Sequence, residues 1–287
     1  MAPPYGTDTA SGYWGTVTST IDWCEENYVV TEYIAEFWNT ISNVVMIIPP
    51  VFLAVLALRQ KLEMRLLMCN ISLLMVGVGS WCFHMTLLYS MQLLDELPMI
   101  WGTSFLVYSF AEISSPPGHQ NRRLQIFLFI YCVVVTAVYL LIKNPVFHEF
   151  AYGLLVVSLV VFAMKVIRKC EHNLILVISG MSIYLFGFLL WNIDNNFCPR
   201  IRSVRWNLGT LGPISQLHAW WHLLAGIGTY LAIIFCIHTR YLYLKKDPSI
   251  KFLVGFCPYI DIPKMKNHYK KRSQDNGYLP QPNCKKL

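Results

Sequence analysis

Residues 213–243 read PISQLHAWWHLLAGIGTYLAIIFCIHTRYLY, and this stretch decides the class of fold. A helix rises 1.5 Å per residue, so about 20 apolar residues cross a hydrocarbon layer that is about 30 Å thick. The segment is apolar over at least that length. It therefore predicts a helix that spans a membrane, with two histidines, His218 and His222, near its start.

Further apolar segments of similar length occur along nearly the whole chain. The predicted spans are residues 33–58, 66–88, 92–112, 124–142, 146–167, 174–195 and 213–243. The composition agrees, because 55% of the 287 residues are hydrophobic and only 14% are charged, against about 25% charged in soluble domains. We predict an all-α, polytopic membrane protein: a bundle of seven transmembrane helices over residues 33–245, between an N-terminal segment 1–32 and a C-terminal tail 246–287.

The positive charges predict how the bundle is oriented, because loops rich in Lys and Arg stay in the cytosol. The loops after the first, third and fifth predicted helices carry such charges: Arg59, Lys61, Arg65, Arg122, Arg123, Lys165, Arg168 and Lys169. The tail is also basic, whereas residues 1–32 contain no Lys or Arg. The N-terminus is therefore expected in the lumen and the C-terminus in the cytosol. One loop disagrees, since Arg200, Arg202 and Arg205 fall on the luminal side.

The net charge of +7 is interpreted as this orientation signal plus a solvated tail. Contact of the tail with anionic lipid head groups is the less favoured alternative, and nucleic acid is not implied. From Asp261 onward the chain is polar and interrupted by Pro263, Pro280 and Pro282. Disorder is expected there.

Three polar clusters lie within the apolar spans, where ionisable groups are costly and invite a functional explanation. Ser80 and His84 are four residues apart in the second predicted helix and so share one face. Asp95 stands at the start of the third. His218 and His222 form a second pair with the same spacing at the start of the seventh.

A His-x-x-x-His pair on a helix can present two imidazoles to one metal. Taken alone, such a pair is more often satisfied by packing or hydrogen bonds. The predicted orientation, however, places all three clusters at one level near the luminal face. Three imidazoles with a fourth position open to water are the coordination of catalytic zinc, so we predict an intramembrane zinc site built from His84, His218 and His222.

Long strings of residues resemble the alkaline ceramidases, most nearly those of the phytoceramidase type. The resemblance extends to about Cys257 and is carried by residues 22–28 (DWCEENY), 35–40 (AEFWNT), 79–86 (GSWCFHMT), 92–99 (QLLDELPM), 191–195 (WNIDN) and 216–222 (QLHAWWH). It implies kinship with the superfamily of adiponectin and progestin receptors. It also implies hydrolysis of ceramide, dihydroceramide or phytoceramide to a sphingoid base and a fatty acid.

The resemblance assigns roles to the polar clusters. It implies zinc ligation by the three histidines, proton transfer by Asp95 and stabilisation of the carbonyl oxygen by Ser80. The alternatives are that Asp95 caps its helix and that Ser80 bonds to its own helix. Asp194 and Asn192 are interpreted as structural ties between helices rather than as partners of an imidazole.

The resemblance also implies calcium activation through the N-terminal segment. The implied ligands are Asp22, Trp23 through its carbonyl oxygen, Glu25, Asn27 and Glu36. Calcium takes six to eight such oxygens, but the spacing fits no EF-hand loop. From the residues alone, an acidic luminal face is the default interpretation, and calcium would act on structure rather than on chemistry.

Two of the nine cysteines, Cys24 and Cys198, fall on the predicted luminal face. An oxidising compartment favours a bridge, so a disulfide between them is predicted. The endoplasmic reticulum and Golgi follow from the resemblance alone. Substrate lipids and membrane lipids are the expected partners, and no obligate protein partner is evident.

Three other classes remain as competitors. A G-protein-coupled receptor shares the layout of seven helices but needs no set of histidines at one depth. A transporter should spread its polar residues through the bilayer. A zinc-containing receptor of the adiponectin type would keep the metal with little or no hydrolase activity.

Overall fold

The structure, a computed structural model, describes residues 11–255 and 257–263. This part of the chain is mostly helical. Its α-helices are α1 (Phe37–Ser42), α2 (Val44–Arg59), α3 (Met64–Thr86), α4 (Tyr89–Ala111), α5 (Arg122–Ile142), α6 (Pro145–Lys169), α7 (Leu174–Leu208) and α8 (Leu217–Tyr243). A short 3-10 helix, Gly209–Ser215, joins α7 to α8.

Several helices are long and apolar enough to cross a membrane. Among the described residues these stretches are Phe37–Arg59, Met64–Thr86, Arg122–Ile142, Pro145–Lys169 and Leu174–Tyr243. The last stretch contains both α7 and α8. Helix α4 is not among them, because Asp95 and Glu96 lie within it together with several polar side chains. The protein is a polytopic membrane protein, and its described residues contain five such stretches.

The bundle is organised around two tightly packed helix pairs, α3 with α4 and α7 with α8. Gly79 of α3 lies against the backbone of Leu94 of α4, so closely that a Cβ atom at Gly79 would overlap the Leu94 carbonyl group. This contact brings the next residue of each helix, Ser80 and Asp95, to the same level of the bundle.

Helix α7 is kinked at Phe197 and then continues to Leu208, whereas the sequence predicted an end at residue 195. The part beyond the kink carries the arginines that disagreed with the predicted orientation. Arg202 and Arg205 donate to the carbonyl oxygen of Cys24 at 3.1 and 3.0 Å, and Arg205 also pairs with Glu26. These two arginines therefore bind the N-terminal segment, which accounts for positive charge at this end of the bundle.

The alternative in which Asp95 caps its helix is wrong, because α4 begins at Tyr89 and Asp95 is its seventh residue. No strand was predicted, but Ser249–Leu253 (β1) and Cys257–Asp261 (β2) form an antiparallel hairpin. The hairpin is tied to the bundle by Gln60, which bonds to Ile260 and Ile262 at 2.9 and 3.0 Å. The predicted disorder of residues 264–287 lies outside the described residues.

Candidate metal centre and catalytic pocket

The three predicted histidine ligands meet inside the bundle. His84 comes from the last turn of α3, while His218 and His222 come from the first two turns of α8. One ring nitrogen from each lies within 4.8 Å of the others, and all three residues are buried. No other group of His, Cys, Asp or Glu with such spacing occurs in residues 11–255 and 257–263.

Two of the imidazoles are oriented by bonds to their Nδ1 atoms. The Nδ1 atom of His84 contacts the carboxylate of Glu36. The Nδ1 atom of His222 lies 3.0 Å from the carbonyl oxygen of Asn39 and 2.9 Å from the Ser42 hydroxyl. The carboxylate and the carbonyl oxygen favour a proton on Nδ1, which leaves Nε2 as a lone-pair donor.

This arrangement fits zinc. Histidines that bind a metal usually donate their other N–H group to a carboxylate or to a backbone carbonyl, and His84 and His222 have such partners. Three nitrogen donors leave one position open, as in catalytic zinc sites. The donor set is therefore chemically suited to a catalytic rather than a structural metal.

Ser80 and Asp95 form the second part of the site. Their side chains lie close enough to interact, at the level set by the Gly79 contact. Ser80 is one helical turn before His84, so it shares the face that carries the histidine. The structure thus brings the predicted catalytic pair and the predicted metal ligands to one place.

Ser80, Asp95, His218 and His222 all line one cavity of about 520 Å³. The rest of its wall is mostly apolar and comes from α3, α4, α6, α7 and α8. A larger cavity of about 1070 Å³ lies between α3, α4 and α5, but none of the predicted site residues lines it. The larger of these two cavities is therefore not the one that contains the predicted catalytic residues.

The five predicted calcium ligands are all buried; four belong to the N-terminal segment, and the fifth, Glu36, immediately precedes α1. Asn27 donates to Asp22 at 3.3 Å. Glu25 accepts from the backbone N–H groups of Trp38 and Asn39 at 2.7 and 2.8 Å, at the start of α1. Hydrogen bonds therefore connect this acidic cluster to the first helix.

The same cluster has features that suit a hard cation. Burial, reinforced by the negative charge of Glu36, raises the pKa of Glu25 to about 8, so nearby positive charge would favour its ionised form. The Oδ1 atom of Asn27 is buried and has no hydrogen-bond partner among the described residues. Carboxylate and amide oxygens are the donors that calcium prefers, so the residues fit this ion.

The predicted disulfide is present, and it joins Cys24 to Cys198 with a Cα–Cα distance of 5.5 Å. It attaches the N-terminal segment to α7. The neighbouring Trp23 packs against His218, with ring centroids 4.0 Å apart. The covalent link thus holds a segment that covers one side of the metal centre.

Sequence reasoning missed the second role of Glu36, which was assigned to calcium alone. Its carboxylate also contacts His84 and accepts from the Trp23 N–H group at 3.2 Å, so it links the acidic cluster to the histidines. Glu36 lies in the family-like stretch 35–40, but no spacing rule in the sequence relates it to His84. The hydrogen bond of 2.5 Å from Tyr139 to the buried Glu96 carboxylate was also not predicted from the sequence.

Comparison with known proteins identifies the family. The model of the family described as Ceramidase matches residues 15–264. The chain is 48% identical to alkaline ceramidase 3 of Mus musculus, over 90% of this chain and 97% of that protein. It is 34% identical to alkaline ceramidase YPC1 of Saccharomyces cerevisiae, over 87% and 85% of the two chains, and 33% identical to alkaline ceramidase of Arabidopsis thaliana, over 90% and 98%. The chain belongs to the alkaline ceramidase family.

Proposed function

We propose that this protein is a zinc-dependent, calcium-activated amidohydrolase that works within the membrane. It cleaves the N-acyl bond of ceramide, dihydroceramide or phytoceramide, and it releases a sphingoid base and a fatty acid. The observation that supports the proposal is a cluster of three buried histidines beside an apolar cavity, because two of them, His218 and His222, line that cavity together with Ser80 and Asp95. Such a cavity suits a lipid substrate in which an amide bond joins two alkyl chains.

His84, His218 and His222 would hold the zinc ion. When bound, zinc supplies Lewis acidity that lowers the pKa of water from 15.7 towards about 7. Glu36 and Asn39 keep His84 and His222 in the tautomer and orientation that this ligation needs. Burial of the three imidazoles excludes bulk solvent from the site.

The remaining chemistry belongs to Ser80 and Asp95. The Asp95 carboxylate accepts a proton from the attacking water and later delivers a proton to the nitrogen of the leaving amine. The Ser80 hydroxyl donates a hydrogen bond to the carbonyl oxygen as negative charge develops on it. Their proximity keeps both side chains directed at one scissile bond.

The cavity also suits a substrate that arrives from the bilayer. Three of its lining residues, Val157 of α6 with Leu185 and Phe188 of α7, are exposed on the outer surface of the bundle. The backbones of α6 and α7 are not closely packed, although the hydroxyl groups of Tyr152 and Tyr184 are hydrogen-bonded between them at 2.9 Å. A lipid chain could therefore enter sideways between them, which an enzyme acting on ceramides requires.

Calcium would bind Asp22, the Trp23 carbonyl oxygen, Glu25, Asn27 and Glu36. Glu25 caps α1, Glu36 contacts His84, and Trp23 packs on His218. Ordering of this cluster would therefore steady two metal ligands. We further propose seven spans with a luminal N-terminus and a cytosolic C-terminus, in the endoplasmic reticulum and Golgi.

The test is an assay of sphingoid base release by purified protein in nanodiscs, with each of the three ceramide classes and with or without calcium. His218→Ala should abolish release, while the matched variant His238→Ala, on the same helix but outside the cavity, should keep it. Absence of release from every ceramide class by the unaltered protein would refute the function. Bound zinc without hydrolysis would favour a receptor.

A further inference from the structure

The third histidine of the metal centre differs from the other two. The Nδ1 atoms of His84 and His222 each have an oxygen partner. The Nδ1 atom of His218 is buried and has no hydrogen-bond partner among the described residues. A buried polar nitrogen without a partner is costly, so another group is expected to serve it.

One carboxylate in the described part of the chain also lacks a hydrogen-bond partner, and it needs a donor. Asp194 of α7 is 1% exposed, and neither of its oxygens has a hydrogen-bond partner. Arg205 is the cation whose charge acts most strongly on it, but the guanidinium group is bonded to Cys24, Glu26 and Ser215 instead. An unpaired carboxylate costs several kcal/mol to bury, on the order of the whole stability of some domains.

The packing of α7 against α8 brings the two residues to nearly the same level of the bundle. Gly180 packs against Leu231, and Gly187 packs against Leu224. The two contacts are seven residues apart on each helix, which is two helical turns, and they run in opposite directions. Two more turns in this register bring Asp194 to Leu217, the neighbour of His218.

The neighbours of Asp194 support this placement. Trp191, three residues before it on the same face of α7, packs against Trp23 with ring centroids 6.2 Å apart. Cys198, four residues after it, is bonded to Cys24. Asp194 therefore lies between two contacts with the segment whose Trp23 ring covers His218.

We propose that Asp194 is the positioning residue for His218. Because no direct hydrogen bond joins the two groups, its carboxylate accepts the Nδ1 proton of His218 through one bridging water, and so leaves Nε2 as the metal ligand. All three imidazoles would then have an oxygen partner. The inference rests on the proposed zinc centre and assigns no direct contact between Asp194 and the substrate.

Zinc affinity of the metal-free protein, measured by competition with a chromophoric chelator, tests this role. Asp194→Leu keeps the size of the side chain and removes a buried charge, so a merely structural carboxylate could be replaced with no loss of folding stability or metal affinity. The proposal expects a zinc affinity about 10–100-fold weaker, as for other residues that orient metal ligands. Asp194→Asn keeps an acceptor oxygen and should fall between the two proteins.

Asn192→Leu is the matched control, because the Asn192 side chain bonds to Phe188 of its own helix. This variant should bind zinc as tightly as the unaltered protein. The inference is overturned if Asp194→Leu binds zinc as tightly as the unaltered protein. If the Leu variant does not fold, equal zinc affinity of Asp194→Asn and the unaltered protein overturns it instead. Failure of the unaltered protein to bind zinc would instead refute the proposed metal centre.

Discussion

Two histidines of the candidate metal centre contact residues that are remote in sequence. Glu36 serves His84, and Asn39 serves His222, across separations of 48 and 183 residues. Such partners fix the ring before the metal binds, which reduces the entropy lost on binding. Single substitutions near the metal site should therefore show which residues set the rate of hydrolysis and which set the affinity for the metal.

Asp95→Asn should remove proton transfer and leave the metal in place. The amide side chain keeps the size of Asp95 and can still interact with Ser80. We expect kcat to fall by about 10²–10⁴, the usual contribution of a positioned acid or base, with an unchanged zinc content. Rates of sphingoid base release and elemental analysis of the same sample measure both. Normal kcat in this variant would contradict the assigned role of Asp95.

The grouping of the three histidines was predictable from the sequence because helical spacing and hydropathy act locally. His218 and His222 are one turn apart, and an apolar run fixes the depth at which they lie. The hydrogen-bond partners of the imidazoles were not predicted, because they contact the histidines only through tertiary packing. Asp194 was likewise interpreted as a tie between helices, since nothing near it in sequence relates it to His218.

Among the structural elements, the contact of α3 with α4 controls the catalytic pair. Gly79→Ala places a methyl group against the Leu94 carbonyl, and such overpacking costs about 1–3 kcal/mol. The helices must separate, which moves Ser80 away from Asp95. We expect at least a tenfold loss of kcat in protein that remains folded by size-exclusion chromatography. Full activity would show that this close approach does not matter.

The Cys24–Cys198 disulfide ties the N-terminal segment to α7 over 174 residues. Its loss should lower stability by about 2–5 kcal/mol and loosen Trp23 above His218. Cys198→Ser should therefore lower the melting temperature and weaken zinc binding. Cys132→Ser, which removes a free thiol on α5, should leave zinc binding unchanged. Equal zinc binding by the two variants would exclude any effect of the disulfide on the metal centre.

Element boundaries were less predictable than the elements themselves. Hydropathy located the helices to within a few residues, but it could not extend α7, whose last turns are polar. Those turns are helical because their arginines bind the N-terminal segment. The hairpin of β1 and β2 was missed for the same reason, since its contacts with Gln60 are long-range.

At the scale of the whole molecule, the proposed seven spans would place the two termini on opposite sides of the membrane. In sealed microsomes, an N-terminal epitope should be protected from added protease, and a C-terminal epitope should be digested. Detergent should expose both. Digestion of both epitopes in intact vesicles would contradict the seven-span arrangement, even if the metal centre were correct.

The central claim is that one buried zinc ion carries the reaction. Its most direct test is metal analysis of purified, active protein, with hydrolysis of ceramide measured on the same sample before and after treatment with a strong chelator. The account predicts one zinc per chain, loss of activity with loss of zinc, and recovery when zinc is returned. Full ceramide hydrolysis by protein that contains no zinc would contradict it.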